Sequence, residues 1–174
     1  RRGKVIGIAI ATASFKAYYP IAHDGGGNMD EKKVTKYIKS ICEDESIEKV
    51  FHNAQYDIGW LWTMGISVKG RIHDTMVAAA LIDENRYSYT LNSIVHEYLG
   101  EFKNETKLKE AAEAFGVDPK SEMYKLPATF VGEYAEADAD LTYKLYEKLS
   151  WEIVKDNLET VYYVECKLIH VIFQ

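Results

Sequence analysis

The hydrophobic pattern of the chain is clearest in the run EYAEADADLTYKLYEKL, at residues 133–149. Apolar side chains recur there at every fourth position: Ala137, Leu141, Leu145 and Leu149. This spacing predicts an α-helix with one buried face. Tyr134 and Asp138 lie one turn apart beside that face, whereas Asp140 falls on the opposite, polar face. Asp138 therefore directs a carboxylate toward the interior, where either a metal ion or hydrogen-bond donors must meet it. The helix alone leaves both explanations open.

Shorter patterns predict strands and further helices around this helix. Branched and small residues alternate over residues 5–11, which predicts a strand covered on both faces and paired as a hairpin with residues 15–21. The other predicted strands are residues 49–52 and 72–74, and the other predicted helices are residues 30–42, 54–64, 75–82, 90–99, 108–115 and 151–174. This order predicts an α/β fold with a mixed sheet flanked by helices.

A second informative stretch, VFHNAQYDIGWLW, covers residues 50–62. A buried strand leads there directly into a helix, and we expect the Asn53 side chain to cap its first turn. Asp57 lies in that turn, where amide dipoles favour negative charge and where α/β folds place ligands. Taken alone, this position favours the simpler interpretation, an aspartate that stabilises the amides at the start of a helix.

Composition restricts the classes of function. The 174 residues carry a net charge of −6, which argues against a protein that coats nucleic acid through its overall field. The charge leaves open an enzyme that binds a nucleic-acid end through metals held by carboxylates. The two cysteines have no metal-type spacing, and no apolar run is long enough to span a membrane. We therefore expect a cytoplasmic protein with reduced cysteines and no membrane partner.

Taken together, N-x-x-x-D after a strand and Y-x-x-x-D on a late helix resemble the second and third motifs of proofreading exonucleases of the Asp-Glu-Asp-Asp type with a tyrosine. Longer runs are similar to the exonuclease domain of family A DNA polymerases, the bacterial polymerase I type. These runs are AYYPIAHD, HDTMVAAALID, SYTLNSIVHEYLG and YAEADADLTYKLYEKL. The final run YYVECKLIHVIF resembles the connector into a polymerase thumb. The resemblance thus implies an exonuclease domain over residues 1–150 and a connector helix over residues 151–174.

This resemblance implies a ribonuclease H-like fold and a metal-dependent 3′→5′ exonuclease that proofreads for a polymerase domain in the same chain. Two divalent ions, Mg²⁺ or Mn²⁺, would serve the hydrolysis of the terminal phosphodiester. By motif position, Asp57 and Asp138 are the metal ligands, and Tyr134 completes the catalytic set by orienting the attacking water. Asn53 and Tyr56 would bind the terminal nucleotides of a single-stranded DNA 3′ end.

Several other polar residues are weaker candidates. Arg86 is a candidate substrate contact because of its charge, and so are the lysines Lys103, Lys107 and Lys125, although lysine runs are usually solvated faces. Asp74, in the HDTM run, is expected to be a structural hydrogen-bond acceptor.

One family motif is missing from the sequence. The Asp-x-Glu pair is expected on a central strand just before residues 5–11, and the chain starts too late to contain it. We therefore expect a piece of a longer bacterial or phage protein, with that strand upstream and a polymerase domain downstream. Two alternatives remain: a degenerate exonuclease-like domain that serves as a scaffold or DNA-binding module, and an RNA-trimming exonuclease of the same superfamily. The intact Asp57, Tyr134 and Asp138 argue against the first, although the missing Asp-x-Glu motif argues for it. The thumb-like connector argues against the second.

Overall fold

The computed structural model describes residues 3–173. Its elements, in order, are β1 (Gly7–Ala11), β2 (Lys16–Pro20), α1 (Glu31–Cys42), β3 (Lys49–Phe51), α2 (Ala54–Thr63), β4 (Ile72–Asp74), α3 (Thr75–Ile82), α4 (Leu91–Leu99), α5 (Thr106–Phe115), α6 (Ala128–Lys155) and α7 (Glu159–Val171). A 3₁₀ turn at Met123–Lys125 precedes α6. The predicted α/β class is confirmed, and most element boundaries fall within two residues of the prediction.

The chain forms two compact units. Unit 1 consists of the described residues up to Val34 together with Lys103–Asp140. Unit 2 consists of Thr35–Phe102 together with the described residues from Leu141 onward. The long helix α6 therefore contributes its first half to unit 1 and its second half to unit 2.

Unit 1 contains an antiparallel hairpin, in which Gly7 of β1 lies opposite Pro20 of β2. Gly7 leaves room for the Tyr18 ring, since a Cβ at position 7 would come within 2.2 Å of the Tyr18 hydroxyl and the ring would have to move. The prediction that β1 is covered on both faces is wrong, since all five of its residues are only half-buried. Within residues 3–173, β1 is paired on one edge only, with β2. The core of the unit lies between α5 and α6 and comprises Leu108, Ala111, Ala112, Leu126 and Val131.

Unit 2 contains a parallel pair of strands, with Phe51 of β3 opposite Asp74 of β4. Its core combines α3, α4, α7 and the second half of α6: Ala78, Ala79, Ile94, Val95, Leu141, Leu145, Leu149, Ile153, Tyr162 and Cys166. The predicted apolar stripe of α6 is confirmed here, because Leu145 and Leu149 are 0% and 1% exposed. The stripe therefore fixes the rotation of the helix that also carries Tyr134 and Asp138.

The helix predicted from residue 151 onward is interrupted. α6 ends at Lys155 and α7 begins at Glu159, with Asn157 at φ 58° between them. Asparagine adopts this left-handed conformation more readily than most residues, because its short side chain can hydrogen-bond locally. No helix within residues 3–173 is long and apolar enough to cross a lipid bilayer.

Candidate active site

Unit 1 places three polar residues against one another. Tyr134 and Asp138 lie one turn apart on α6, and both are half-buried. The Lys103 ammonium forms an ion pair with Asp138 Oδ1 and lies 3.7 Å from the centroid of the Tyr134 ring. The Lys103 side chain is only 6% exposed. The sequence predicts the first two members of this cluster but treats Lys103 as a lysine on a solvated face.

The opposite face of α6 is partly covered by β2 in the first half of the helix, around Glu136 and Asp140. Asp140 forms an ion pair with Lys16 of β2 at 3.7 Å, and the Tyr18 amide donates a hydrogen bond to Glu136 at 3.1 Å. The Asp140 side chain is 24% exposed and that of Asp138 is 33% exposed. The prediction that Asp140 is a surface charge is therefore wrong, because strand β2 packs along this face.

Unit 2 contains the remaining predicted site residues of the second motif, Asn53, Tyr56 and Asp57, at the start of α2. Asn53 occupies the N-cap position at φ 65° and ψ 59°, but its side chain makes no capping hydrogen bond, so that prediction is wrong. Asp74 provides the acceptors instead: its Oδ1 accepts from the Asn53 amide at 3.0 Å and its Oδ2 from the Ala54 amide at 2.7 Å. Oδ1 also accepts from the Met76 amide at 2.9 Å. Asp74 is 3% exposed, and its predicted role as a structural acceptor is confirmed.

The remaining residues of this group follow on α2. Asp57 lies in the first turn and is half-buried, as the sequence predicts. Asn53 and Tyr56 are exposed, and the Tyr56 ring meets Trp60 edge-on at 6.3 Å between centroids. The structure thus brings together Asn53, Tyr56 and Asp57 in unit 2, and Tyr134 with Asp138 in unit 1.

Arg86 has a structural pairing in unit 2. Its guanidinium donates two hydrogen bonds to Glu97, at 2.8 Å and 2.7 Å, and its side chain is 4% exposed. The hydrogen bonds to the Glu97 carboxylate raise the pKa of Arg86 above its ordinary value. The substrate-binding role of Arg86 stays a prediction.

The carboxylate oxygens of Asp57 and Asp138 are of the chemical type that binds a divalent metal ion. Carboxylate oxygens are the ligands that Mg²⁺ and Mn²⁺ prefer, and Asp138 already has a cation, the Lys103 ammonium, against its carboxylate. These carboxylates are too few to form a complete metal site, because residues 3–173 contain no group of three or more His, Cys, Asp and Glu side chains that could hold a metal ion. The described residues therefore supply carboxylates of the right type but an incomplete set.

Asp74→Ala is expected to loosen the start of α2. Removing both carboxylate oxygens leaves the buried Ala54 amide and the Asn53 amide without acceptors, at a cost of about 1–3 kcal/mol for each unsatisfied group. Amide hydrogen exchange, followed by mass spectrometry on a peptide covering residues 50–57, should become about 10-fold faster or more. Asp83→Ala, at the other end of α3, is the matched control and should leave this peptide unchanged. Unchanged exchange in Asp74→Ala would show that this carboxylate does not hold the helix.

Two solved structures show the fold of the chain. RNase D of Escherichia coli, described as an exoribonuclease involved in structured RNA processing, superposes with a TM-score of 0.63 at 19% identity, over 97% of this chain and 44% of RNase D. NrnC of Brucella melitensis with bound Mg²⁺ superposes with a TM-score of 0.58 at 18% identity, over 77% of this chain and 60% of NrnC. These likenesses confirm the predicted ribonuclease H-like fold.

Sequence relatives are DNA polymerases. A DNA-directed DNA polymerase of Pseudomonas phage M6 is 34% identical over 157 residues, which are 89% of this chain and 24% of the polymerase. The chain thus spans only a small part of the length of this relative. The 3′-5′ exonuclease family of A-type DNA polymerases matches residues 1–154. The chain therefore belongs to the 3′-5′ exonuclease family of A-type DNA polymerases, as its motifs predict.

Proposed function

We propose that the chain is the proofreading domain of a DNA polymerase and removes nucleotides from a single-stranded DNA 3′ end. The observation that carries this proposal is the cluster on α6, where the tyrosine and the aspartate of the third motif lie side by side in unit 1. Family membership and the similarity to a phage polymerase support it. An intact Tyr134–Asp138 pair opposes the alternative of a degenerate scaffold domain.

Each residue has a role in this proposal. Asp138 and Asp57 hold divalent metal ions, which when bound supply a nucleophile from water and stabilise developing charge. The Tyr134 hydroxyl orients the attacking water. Asn53 and Tyr56, exposed at the start of α2, bind the terminal nucleotides, the first by hydrogen bonds and the second with its ring. Asp74 holds this helix start in place.

The proposal also requires two more carboxylates and a polymerase domain. The resemblance assigns the carboxylates to a strand beside β1, and the half-buried state of β1 supports a further strand there. Exposed apolar side chains in the last part of α6 and in α7 support the proposal of a neighbouring domain. Their exposed fractions are 59% for Trp151, 58% for Val154, 51% for Leu168 and 61% for Val171. Several large apolar side chains left exposed on neighbouring turns are a feature of surfaces that bind another domain.

RNA trimming is the second candidate function. The fold likeness to RNase D, an exoribonuclease, favours it, whereas the polymerase relatives favour DNA. We give precedence to DNA, because the family match covers residues 1–154 and the RNase D likeness concerns the fold alone.

The proposal can be tested by incubating labelled oligonucleotides with the protein in its full natural length and following their degradation. A 5′-labelled DNA strand should shorten stepwise from its 3′ end, faster than RNA of the same sequence, and an oligonucleotide with a blocked 3′ end should resist. A chelator should stop the reaction, and Mg²⁺ or Mn²⁺ should restore it. Faster trimming of RNA would favour the second candidate, and no degradation at all would favour a scaffold domain.

A further inference from the structure

Lys103 differs from the other lysines of its region in burial. It lies in the segment between α4 and α5, and its side chain is 6% exposed. Lys107, on the first turns of α5, pairs with Glu133 through a side chain that is 68% exposed. Burying an ammonium is unfavourable unless anionic or π-electron partners replace its water. The partners of Lys103 are therefore essential to its position.

Those partners are the two residues of the third motif. The ammonium meets the Asp138 carboxylate and at the same time faces the Tyr134 ring at 3.7 Å from its centroid. One cation thus contacts the side chains of two residues on successive turns of α6. An ammonium directed at two protein groups and shielded from solvent is poorly placed to serve as an open phosphate contact.

We propose that Lys103 is a positioning residue of the exonuclease site, which holds Asp138 and Tyr134 together until a divalent cation takes the carboxylate. This inference rests on the proposed function, in which Asp138 is a metal ligand. Lys103 and the metal then compete for the same carboxylate, since both are cations attracted to it. The lysine keeps the metal-free carboxylate compensated and holds the tyrosine ring next to it.

Removing the Lys103 ammonium should raise the affinity for a divalent cation and lower the rate of hydrolysis. Without the ammonium, the Asp138 carboxylate loses a competing positive charge and attracts a divalent cation more strongly. The carboxylate and the ring also lose their common contact, so hydrolysis slows although the metal binds better. A lysine that merely supported the local fold would weaken both metal binding and hydrolysis.

The experiment measures Mn²⁺ binding and hydrolysis separately, in the protein at full natural length. Mn²⁺ is titrated by electron paramagnetic resonance of the free ion, and Asp138→Asn defines the background from all other sites. Lys103→Met should bind Mn²⁺ about 5–10-fold more tightly, while kcat for single-stranded DNA falls about 10–100-fold. Lys109→Met, the control on a solvated lysine whose side chain is 66% exposed and pairs with Glu105, should change neither, and Lys103→Arg should keep the wild-type Mn²⁺ affinity.

Other results overturn the inference. Unchanged or weaker Mn²⁺ binding in Lys103→Met contradicts it, and weaker DNA binding with unchanged Mn²⁺ binding makes the lysine a phosphate contact. If Lys103→Met does not fold, Lys103→Gln must show the same pair of opposite changes. If Asp138→Asn kept full hydrolytic activity, that result would contradict the proposed function itself, in which Asp138 is a metal ligand. It is therefore distinguishable from the results that contradict the role of Lys103.

Discussion

Replacing Asp138 with asparagine is expected to lower the exonuclease activity by about 10³-fold or more, whereas Asp140→Asn keeps most of it. A metal ion contributes several kcal/mol of transition-state stabilisation, and each 1.36 kcal/mol corresponds to a factor of ten in rate. Asparagine preserves the size of the side chain and removes its charge. Asp138 is the proposed metal ligand, and Asp140 is not.

The two aspartates are matched in position and in burial but not in the lysine that each contacts, because the Lys103 side chain is 6% exposed and the Lys16 side chain is 50% exposed. The aspartates are two residues apart on α6, their side chains are 33% and 24% exposed, and each has a lysine partner. Loss of an ion pair or of a half-buried charge therefore affects both variants. The measurement is the rate of shortening of a labelled single strand with saturating Mg²⁺. Equal losses in both variants would show that Asp138 has no special role.

The sequence predicts those features that depend on neighbours along the chain. The i, i+4 stripe of α6 fixes the rotation of the helix, because Leu145 and Leu149 can be buried only if that face meets the core. The i, i+4 spacing of Tyr134 and Asp138 likewise places these two side chains next to each other on the helix. Both relations are set by helical geometry, so they could be predicted without knowledge of the rest of the fold.

Contacts between segments distant in sequence could not be predicted in this way. Asp140 falls on the polar side of the helical pattern, but β2 covers it with Lys16, more than a hundred positions away in sequence. Helical periodicity shows which side of a helix is polar, but it does not show what packs on that side. The same applies to Lys103, whose burial depends on its position relative to α6 and has no signature in its local sequence.

The start of α2 shows how a local preference can mislead. Asn53 stands where an asparagine commonly caps a helix with its side chain, and it does occupy the N-cap position. The acceptors nevertheless come from Asp74, at the end of a parallel strand 21 positions later. The buried Asp74 carboxylate accepts from the backbone amides of Asn53 and Ala54, so the start of α2 is capped without the exposed Asn53 side chain.

Tyr134→Phe is expected to slow hydrolysis by about 10²–10⁴-fold, the effect of losing a group that moves or positions a proton. Phenylalanine keeps the aromatic ring and removes only the hydroxyl. The ring contact with Lys103 should persist, because a cation interacts with the face of the ring rather than with the hydroxyl. Packing of the side chain against the core of unit 1 should persist for the same reason.

This separation allows the Tyr134 variant to distinguish catalysis from packing. Affinity for single-stranded DNA and Mn²⁺ binding should remain at wild-type levels in Tyr134→Phe, whereas Tyr134→Leu should also lower the thermal stability because it loses the ring. Tyr143→Phe is the matched control: its hydroxyl donates to Glu147 on the exposed side of α6, and its loss should leave hydrolysis unchanged. A Tyr134→Phe protein that degrades DNA as fast as wild type would assign this tyrosine to packing, and the attacking water would then have to be oriented by another group.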